Sequence, residues 1–292
     1  MVIERALEKL REAQAASAKA GTKRASGEDT GRHRALTPPA TPTRERPAFP
    51  VLEVLQSAAE LNRILLPDPS NVNEGVAGAA YRMLRTRLLQ KLRNNNWMTL
   101  AITSPGAGEG KSVTTLNLAL NMAREKANDV FLLDLDLRNP SICRFLGVTP
   151  PRELSSYFAG AGDPAETLYS IGLANLAIAG SSEPSANASE LIATHRLEEL
   201  LAYISSISAH PVVLIDLPPL LVTDEALLVA PRVDATALVV AEGRTRRDSL
   251  VRAKQLLADY TFAGVVLNCS TETFGADSYY GYAYGYPHKP KA

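Results

Sequence analysis

Apolar runs alternate with helical stretches along most of the chain after residue 96. The apolar runs lie at 98–103, 130–134, 212–216, 235–240 and 263–268, and none of them alternates apolar with polar positions. Stretches with helical periodicity separate most of them, at 111–125, 188–206, 223–232 and 246–259. Continuous apolar strands with helices between them are typical of a mostly parallel sheet that is covered by helices on both faces. The pattern therefore predicts an α/β domain that binds any ligand at the carboxyl ends of its strands.

The pattern changes on both sides of this region. Residues 51–96 are helical in pattern, with a break at 65–69 and a second helix at 81–92. A short amphipathic helix at the N-terminus is followed by a flexible linker rich in proline and basic residues. After Asn268 the chain has few aliphatic residues and many tyrosines, which is typical of a mobile tail. We expect an N-terminal helix with its linker at 1–50, a folded domain at 51–270 and a tyrosine-rich tail at 271–292.

Composition and charge limit which binding partners and which cellular compartment are expected. The chain has 31 basic and 31 acidic residues, so no net charge draws it to nucleic acid. No stretch reaches the roughly 18 apolar residues of a transmembrane helix, and the N-terminus lacks the apolar segment of a secretory signal. Cys143 and Cys269 lie in apolar surroundings and are expected to be buried free thiols. These features favour a cytoplasmic protein.

A glycine-rich loop follows the first apolar run. Residues 104–112 read Ser-Pro-Gly-Ala-Gly-Glu-Gly-Lys-Ser, with Pro105 at the position of the usual first glycine. Such a loop directs backbone N–H groups at nucleotide phosphates, while its lysine and hydroxyl serve the terminal phosphates and Mg²⁺. A loop without a ligand is the alternative, which the strand before it and the helix after it disfavour. The predicted nucleotide-binding residues are Gly106, Ala107, Gly108, Glu109, Gly110, Lys111, Ser112 and Val113.

Aspartates end or follow two further apolar runs. Asp134 ends the run at 130–134 and Asp136 follows it by two residues, while Asp216 ends the run at 212–216. A lone aspartate at a strand end is more often a turn residue or a helix cap. Three of them on strands beside a phosphate loop favour a shared role in a nucleotide–magnesium site.

Together the three loops resemble the Walker A, Walker A′ and Walker B motifs of the bacterial tyrosine kinases, which are P-loop proteins related to the MinD/ParA ATPases. Asp134, Asp136 and Arg138 match the D-x-D-x-R of the A′ motif. Asp216 begins Asp-Leu-Pro-Pro, which matches the D-T-P-P of the B motif with Leu217 in place of the threonine. Further similarities are Asn-Ala-Ser-Glu-Leu at 187–191, Thr-Asp at 223–224 and Val-Val-Leu-Asn at 265–268, and the resemblance covers about residues 60–286.

The resemblance implies an ATP-dependent tyrosine autokinase with Mg²⁺ as the metal. Lys111 and the loop amides would hold ATP, and Ser112, Asp136 and Asp216 would hold the metal. Asp134 would receive the hydroxyl of the attacking tyrosine. Arg138 would either stabilise developing charge or pair with Asp136, and Asn268 would be either an adenine contact or a strand-end cap. The phosphate acceptors would be Tyr279, Tyr280, Tyr282, Tyr284 and Tyr286.

The same resemblance implies partners, because the family is tied to the export of extracellular and capsular polysaccharide. We expect a membrane-bound polysaccharide co-polymerase as activator, which would keep the protein at the inner face of the cell membrane. We also expect a homo-oligomer. The family usually assembles into rings through an E-x-x-R-x-x-R motif. In this chain Arg82 and Arg85 match the two arginines of the motif, but Ala79 stands in place of the glutamate.

Two other functions compete with the autokinase. A MinD/ParA-type ATPase switch usually has an extra lysine early in the phosphate loop, and 104–107 has none. A nucleotide-binding scaffold without kinase activity is compatible with Leu217 and Ala79. The complete set of Lys111 and three aspartates disfavours it.

Overall fold

The computed structural model describes residues 47–67, 75–125 and 127–271. All of the described residues belong to one compact unit, Thr43–Ala292. The predicted N-terminal helix, most of the linker and nearly all of the predicted tail lie outside the described residues. The boundaries expected at residues 50 and 270 therefore stay predictions.

The described residues form a sheet of six strands that are all parallel. The order across the sheet is β3-β2-β4-β1-β5-β6, so β1 lies between β4 and β5. The strands are β1 (Thr99–Thr103), β2 (Asp129–Asp134), β3 (Leu176–Ala179), β4 (Pro211–Asp216), β5 (Ala235–Ala241) and β6 (Phe262–Asn268).

Helices connect these strands and cover the sheet. They are α1 (Gln56–Leu61), α2 (Gly75–Asn95), α3 (Lys111–Met122), α4 (Ile142–Leu146), α5 (Leu154–Phe158), α6 (Ala188–Ile192), α7 (Arg196–Ile207), α8 (Glu225–Val229) and α9 (Arg247–Leu256). Two short 3₁₀ turns lie at Pro164–Thr167 and Ala230–Arg232.

The sheet separates two clusters of buried apolar side chains. In β1, Leu100 and Ile102 belong to one cluster and Ala101 to the other, because successive side chains of a strand point to opposite faces. Helices α1 to α4 contribute to the first cluster, and α5 to α9 contribute to the second. Since both faces are covered, strands need no polar positions, which explains the continuous apolar runs. The predicted fold class is confirmed.

The five apolar runs are the strands β1, β2, β4, β5 and β6, so their prediction is confirmed. The sequence analysis did not find β3, whose Leu-Ala-Ile-Ala is only four residues long. Strand β6 is at the edge of the sheet and alternates in burial, with Val265 and Leu267 exposed. Cys269 follows this edge strand and is exposed, so its expected burial was wrong, whereas Cys143 is a buried free thiol as expected.

Tertiary contacts moved several helix boundaries away from the prediction. The stretch at 188–206 forms two helices instead of one, because Arg232 binds the carbonyl oxygens of Ile192 and Thr194 at the break. The chain at 51–55 is extended and not helical. The N–H of Leu52 donates to the carbonyl of Ser170 at 2.8 Å, which holds this segment in a β-bridge.

The register of three adjacent strands brings the predicted motifs to one edge of the sheet. Asp134 at the end of β2 is the register partner of Asp216 at the end of β4. Asp216 is also the partner of Ile102 in β1, one residue before the strand ends and the glycine-rich loop follows. Because all three strands are parallel, their carboxyl ends meet at the same edge.

Candidate active site

The glycine-rich loop joins β1 to the first residue of α3, Lys111. Gly108 and Gly110 have φ angles of 75° and 87°, in the left-handed region where glycine is strongly favoured. A Cβ atom at Gly110 would lie 2.1 Å from Nδ2 of Asn268. This close approach requires glycine at position 110.

The start of the loop is bonded to the segment that follows β4. The N–H groups of Leu220 and Leu221 donate to the carbonyl oxygens of Ser104 and Pro105, at 2.8 and 3.2 Å. The hydroxyl of Thr103 donates to the carbonyl of Pro218 at 2.6 Å. The Walker A and Walker B segments are therefore one hydrogen-bonded unit.

The loop after β5 and the last residue of β6 hold the end of the glycine-rich loop. Nδ2 of Asn268 donates to the carbonyl of Glu109 at 3.0 Å, and the hydroxyl of Thr245 donates to the Glu109 carboxylate at 2.7 Å. That carboxylate also accepts the N–H of Gly106 at 3.2 Å. The sequence analysis missed Thr245, because no local pattern connects residues 136 positions apart.

Lys111 connects the two predicted metal-binding aspartates. Its ammonium Nζ lies 2.7 Å from Oδ2 of Asp136 and 3.3 Å from Oδ2 of Asp216, and it donates to the Ser112 hydroxyl at 3.0 Å. Burial lowers the pKa of Lys111, but the charges of Asp216 and Asp136 outweigh burial and raise the pKa above its ordinary value. Lys111 therefore stays charged beside the phosphate loop.

Asp216 is completely buried and accepts hydrogen bonds from α3. The hydroxyl of Ser112 donates to Oδ2 at 2.5 Å, and the hydroxyl of Thr115 lies 3.2 Å from Oδ1. Burial raises the pKa of Asp216 above its ordinary value, and the nearby charge of Asp136 adds to this effect. Lys111 and Ser112 lower the pKa but do not outweigh burial. Thr115 was not predicted, although its position one helical turn after Lys111 places both on the same side of α3.

Asp134 is also completely buried, and its hydrogen bonds go to the backbone. Oδ2 accepts the N–H groups of Ser141 and Ile142, both at 2.9 Å, and Oδ1 accepts the N–H of Asp136 at 3.2 Å. Burial and the charge of Asp216 raise the pKa of Asp134 to about 7, against the lowering effect of the backbone bonds. Asp134 thus caps the start of α4, and its predicted contact with a tyrosine hydroxyl stays a prediction.

Arg138 pairs with Glu225 and not with Asp136, which corrects one of the two expected roles. Its Nε lies 2.5 Å from Oε1 of Glu225, and its Nη2 donates to the Ser189 hydroxyl at 3.0 Å. Asp136 is already bound to Lys111, whereas the Glu225 side chain is fully buried and needs a cation. Burial acts to raise the pKa of Glu225, but the nearby Thr223 and the hydrogen-bonded Arg138 and Ser189 bring it below its usual value.

The hydrogen bonds around Arg138 also connect two of the segments that resemble the bacterial tyrosine kinases. Ser189, in the motif at 187–191, lies 2.7 Å from Oδ1 of Asp224, in the Thr-Asp pair after β4. Three stretches that are far apart in sequence therefore meet beside Arg138.

The donors at this site fit Mg²⁺, which prefers oxygen ligands and usually keeps phosphate and water oxygens in its shell. Ser112, Asp136 and Asp216 supply one hydroxyl and two carboxylates within the Lys111 network. Among the described residues, no group of three or more His, Cys, Asp or Glu side chains could hold a metal on its own.

The described part of the chain contains no helix with the length and hydropathy that crossing a membrane requires.

The family model described as ParA, NUBPL iron-transfer P-loop NTPase, matches residues 96–274. This chain belongs to that family of P-loop NTPases. The match includes all six strands and each loop of the candidate site.

Individual relatives are named as tyrosine kinases. Tyrosine-protein kinase YwqD of Bacillus subtilis is 28% identical over 228 residues, which cover 77% of this chain and 92% of the relative. The VpsO kinase domain is 27% identical with a TM-score of 0.58, covering 66% of this chain and 95% of that one. The kinase domain of Escherichia coli tyrosine kinase ETK, at 22% identity and a TM-score of 0.63, covers 83% of this chain and 95% of its own and supports the fold. The resemblance to the bacterial tyrosine kinases is confirmed.

Proposed function

We propose that this chain is a protein-tyrosine kinase that uses ATP to phosphorylate the tyrosine-rich tail of another copy of itself. The observation that carries the proposal is the convergence of Lys111 and Ser112, at the start of α3, with Asp136 and Asp216, at the carboxyl-end edge of β2 and β4. A P-loop with these groups supports nucleotide chemistry, and relatives named as tyrosine kinases favour tyrosine as the acceptor.

The phosphate loop and Lys111 would hold the ATP phosphates. The ammonium of Lys111 now neutralises Asp136 and Asp216, and it can turn from them to the phosphate oxygens when a nucleotide binds. Mg²⁺ held by Ser112, Asp136 and Asp216 would neutralise charge on the phosphates. Asn268 would contact the adenine, as the resemblance implies, and it already donates to the carbonyl of Glu109 in the phosphate loop.

A carboxylate near the terminal phosphate would orient the attacking tyrosine hydroxyl. A carboxylate of ordinary pKa is a poor base for a phenol with a pKa of about 10. A loose transition state lets the proton leave late, so orientation matters more than basicity. Asp134 keeps this proposed role as the group that orients the hydroxyl, but its bonds to Ser141 and Ile142 would have to open first.

The tail is long enough to reach another copy. Tyr282 lies 14 positions after Asn268, and at roughly 3.3 Å per residue this segment spans up to about 45 Å. The proposed acceptors are Tyr279, Tyr280, Tyr282, Tyr284 and Tyr286.

The proposed context is the regulation of polysaccharide polymerisation and export. A membrane-bound co-polymerase would act as the activator and would keep the kinase at the inner face of the membrane. The support for this context is the resemblance of the three Walker motifs and the named relatives.

Mass spectrometry after incubation with Mg-ATP tests the kinase proposal. We expect phosphate on residues 279–286 of the wild-type chain and none on a Lys111→Met chain incubated alone. Unphosphorylated wild-type protein, with or without an added activator segment, would contradict the proposal.

A MinD/ParA-type ATPase switch is the second candidate, favoured by the match to the ParA family model. It predicts ATP turnover and ATP-dependent self-association without tyrosine phosphate. Measuring ADP release and phosphotyrosine on the same sample separates the two functions.

A further inference from the structure

The outer edge of the sheet at β6 is open among the described residues. Strand β6 pairs with β5 on one side, and no described strand pairs with its other side. The opposite edge of the sheet, at β3, is partly closed, because Ile178 and Tyr169 exchange two backbone hydrogen bonds of 2.8 and 2.9 Å. The backbone groups on the outer side of β6 are therefore the ones that a further strand could pair with.

Two apolar side chains of β6 are exposed at this edge. The side chain of Val265 is 46% exposed and that of Leu267 is 51% exposed. Their register partners in β5, Leu238 and Val240, belong to the second buried cluster, so both side chains point to the face of the sheet that α9 covers. Exposed apolar side chains on an open edge strand favour pairing with another strand.

The other face of β6 is covered by α2. The ammonium of Lys91 donates to the carbonyl of Ala263 at 2.5 Å, and Val266 packs against the first buried cluster. A strand added beside β6 would have room for large side chains on the α9 face. On the α2 face, small side chains would fit better.

The sequence of the tail has the pattern of such a strand. From position 280 to position 286, tyrosine alternates strictly with glycine or alanine. Because successive side chains of a strand point to opposite faces, this segment would have tyrosines on one face and only small residues on the other. Tyrosine also favours strand conformation.

The chain leaves β6 in a way that suits a return along the same edge. Cys269 has a φ angle of 56°, in the left-handed region, so the chain turns directly after the strand. The N–H of Thr271 donates to the Glu242 carboxylate at 2.9 Å, which keeps the exit beside β5 and β6. Residues 272–278 then connect to the tyrosines, and an antiparallel return needs only a short connection, whereas a parallel one needs about a dozen residues or more.

We propose that residues 279–286 pair as an added antiparallel strand with the outer edge of β6 in the same copy, with the alternating tyrosines over Val265 and Leu267. The pairing does not depend on the proposed kinase function. Under that function, a tail on the edge is withheld from a second copy. A phosphorylated tail would not return, because each phosphate adds about −1.5 to −2 charges above an apolar surface.

Chain continuity favours this occupant over a second copy. A short flexible connection gives the attached segment an effective concentration on the order of millimolar. A second β6 edge or the tail of another copy would have to compete at the much lower concentration of the free protein.

Hydrogen exchange measured by mass spectrometry on the full chain, without nucleotide, tests the pairing. The edge variant is Val265→Asp/Leu267→Asp. Its matched control is Val51→Asp/Leu61→Asp, which changes one valine and one leucine that are 68% and 84% exposed outside β6. A tail variant, Tyr282→Pro/Ala283→Pro, removes two successive N–H groups. Because these point in opposite directions along a strand, one bond to β6 is lost in any register.

The expected result is slow exchange at 279–286 in the wild type and in the matched control. In the edge and tail variants, exchange of this segment should be at least about tenfold faster, which corresponds to about 1.4 kcal/mol. The tail variant should also speed exchange at 262–268, where the sequence is unchanged. The protection should stay constant over about a hundredfold range of protein concentration, because pairing within one copy does not depend on concentration.

Each other pattern would overturn the proposal. Wild-type exchange at 279–286 that is as fast as in the tail variant would show that the segment is unpaired. Equal protection in the wild type and the edge variant would exclude β6 as its partner. Protection that rises with concentration would assign the pairing to two copies, and protection of β6 alone would assign its edge to a second β6. The kinase function can fail without changing any of these exchange rates, because no phosphoryl transfer occurs in the experiment.

Discussion

Single residues of the A′ loop have different surroundings although they are close in sequence. Asp136 binds the Lys111 ammonium at 2.7 Å, whereas Asp134, two residues earlier, accepts only backbone N–H groups. Arg138, two residues later, neutralises the buried Glu225. The loop therefore combines a residue that faces the nucleotide site with residues that stabilise its walls.

The first prediction distinguishes the structural role of Asp134 from the role of Asp136 in the candidate active site. Asp134→Ala leaves the buried N–H groups of Ser141 and Ile142 unpaired, which is expected to lower the free energy of unfolding by about 1–3 kcal/mol. Asp136→Asn is expected to change stability less and to reduce phosphotransfer strongly, because a charge at the metal site is lost. Urea unfolding and ADP release measure the two effects. Equal stability of the two variants would contradict the capping role of Asp134.

The second prediction concerns Arg138 and its pH dependence. In the wild type the pKa of Glu225 is lowered, so its ion pair adds stability above the ordinary glutamate pKa of about 4.3, and that stability is lost as pH falls. In Arg138→Met the buried carboxylate loses its cation and its pKa rises. The variant is then expected to lose stability relative to the wild type as pH rises from about 4 to 7, because the unpartnered carboxylate must ionise while it is buried.

The double variant Arg138→Met/Glu225→Gln is the control for this pair. It is expected to recover stability, because no charge stays buried without a partner. Its phosphotransfer rate separates the two roles of the arginine: a stable but inactive double variant supports charge stabilisation by Arg138, and recovered activity supports a structural role. Chemical unfolding at several pH values gives the stability. A deficit that does not depend on pH would contradict the pairing.

At the scale of elements, the phosphate loop depends on two separate parts of the sheet edge. The segment after β4 is hydrogen-bonded to the start of the loop, and Thr245 after β5 and Asn268 at the end of β6 are hydrogen-bonded to its end. Because the strands are packed on both faces, these attachment points are rigid. The loop is thus held in shape before a nucleotide binds, which lowers the entropy cost of binding.

The third prediction tests this attachment. Thr245→Val removes the hydroxyl that lies 2.7 Å from the Glu109 carboxylate. One lost hydrogen bond of about 1 kcal/mol is expected to raise the KM for ATP about fivefold with little change in kcat. Thr245→Ser keeps a hydroxyl and should restore the wild-type KM. Steady-state ADP release measures both constants, and an unchanged KM in Thr245→Val would contradict the attachment.

At the scale of the whole molecule, the nucleotide site lies at one edge of the sheet and is followed in sequence by the terminal segment that contains the five proposed acceptor tyrosines. If the proposed kinase function is right, phosphorylation between copies requires this segment to reach the nucleotide site of a second copy. Phosphate on the segment would then change its charge.

The fourth prediction concerns the oligomer. Five phosphotyrosines add about −7.5 to −10 charges near Lys289 and Lys291. We expect wild-type protein incubated with Mg-ATP to show a smaller mass in light scattering than untreated protein. A chain with phenylalanine at the five tail positions should keep its mass under the same treatment. A phosphorylated wild type of unchanged mass would contradict release by charge repulsion.

The sequence by itself determined the features that are encoded locally. A buried parallel strand requires an uninterrupted apolar run, so five of the six strands could be read directly, while the four-residue β3 was too short to distinguish. The phosphate loop could be recognised because glycine, lysine and hydroxyl must stand at fixed spacing. The three aspartates could be placed at one edge, because parallel strands end together.

The tertiary structure alone decided which side chain meets which. Lys111 forms ion pairs with Asp136 and Asp216. Asp134 accepts a backbone N–H at the start of α4. Arg138 forms an ion pair with Glu225, which is 87 residues away in the sequence. Such contacts depend on strand register and helix packing between distant segments, and no local spacing encodes them. The break between α6 and α7 has the same origin, since it is held by an arginine from another part of the chain.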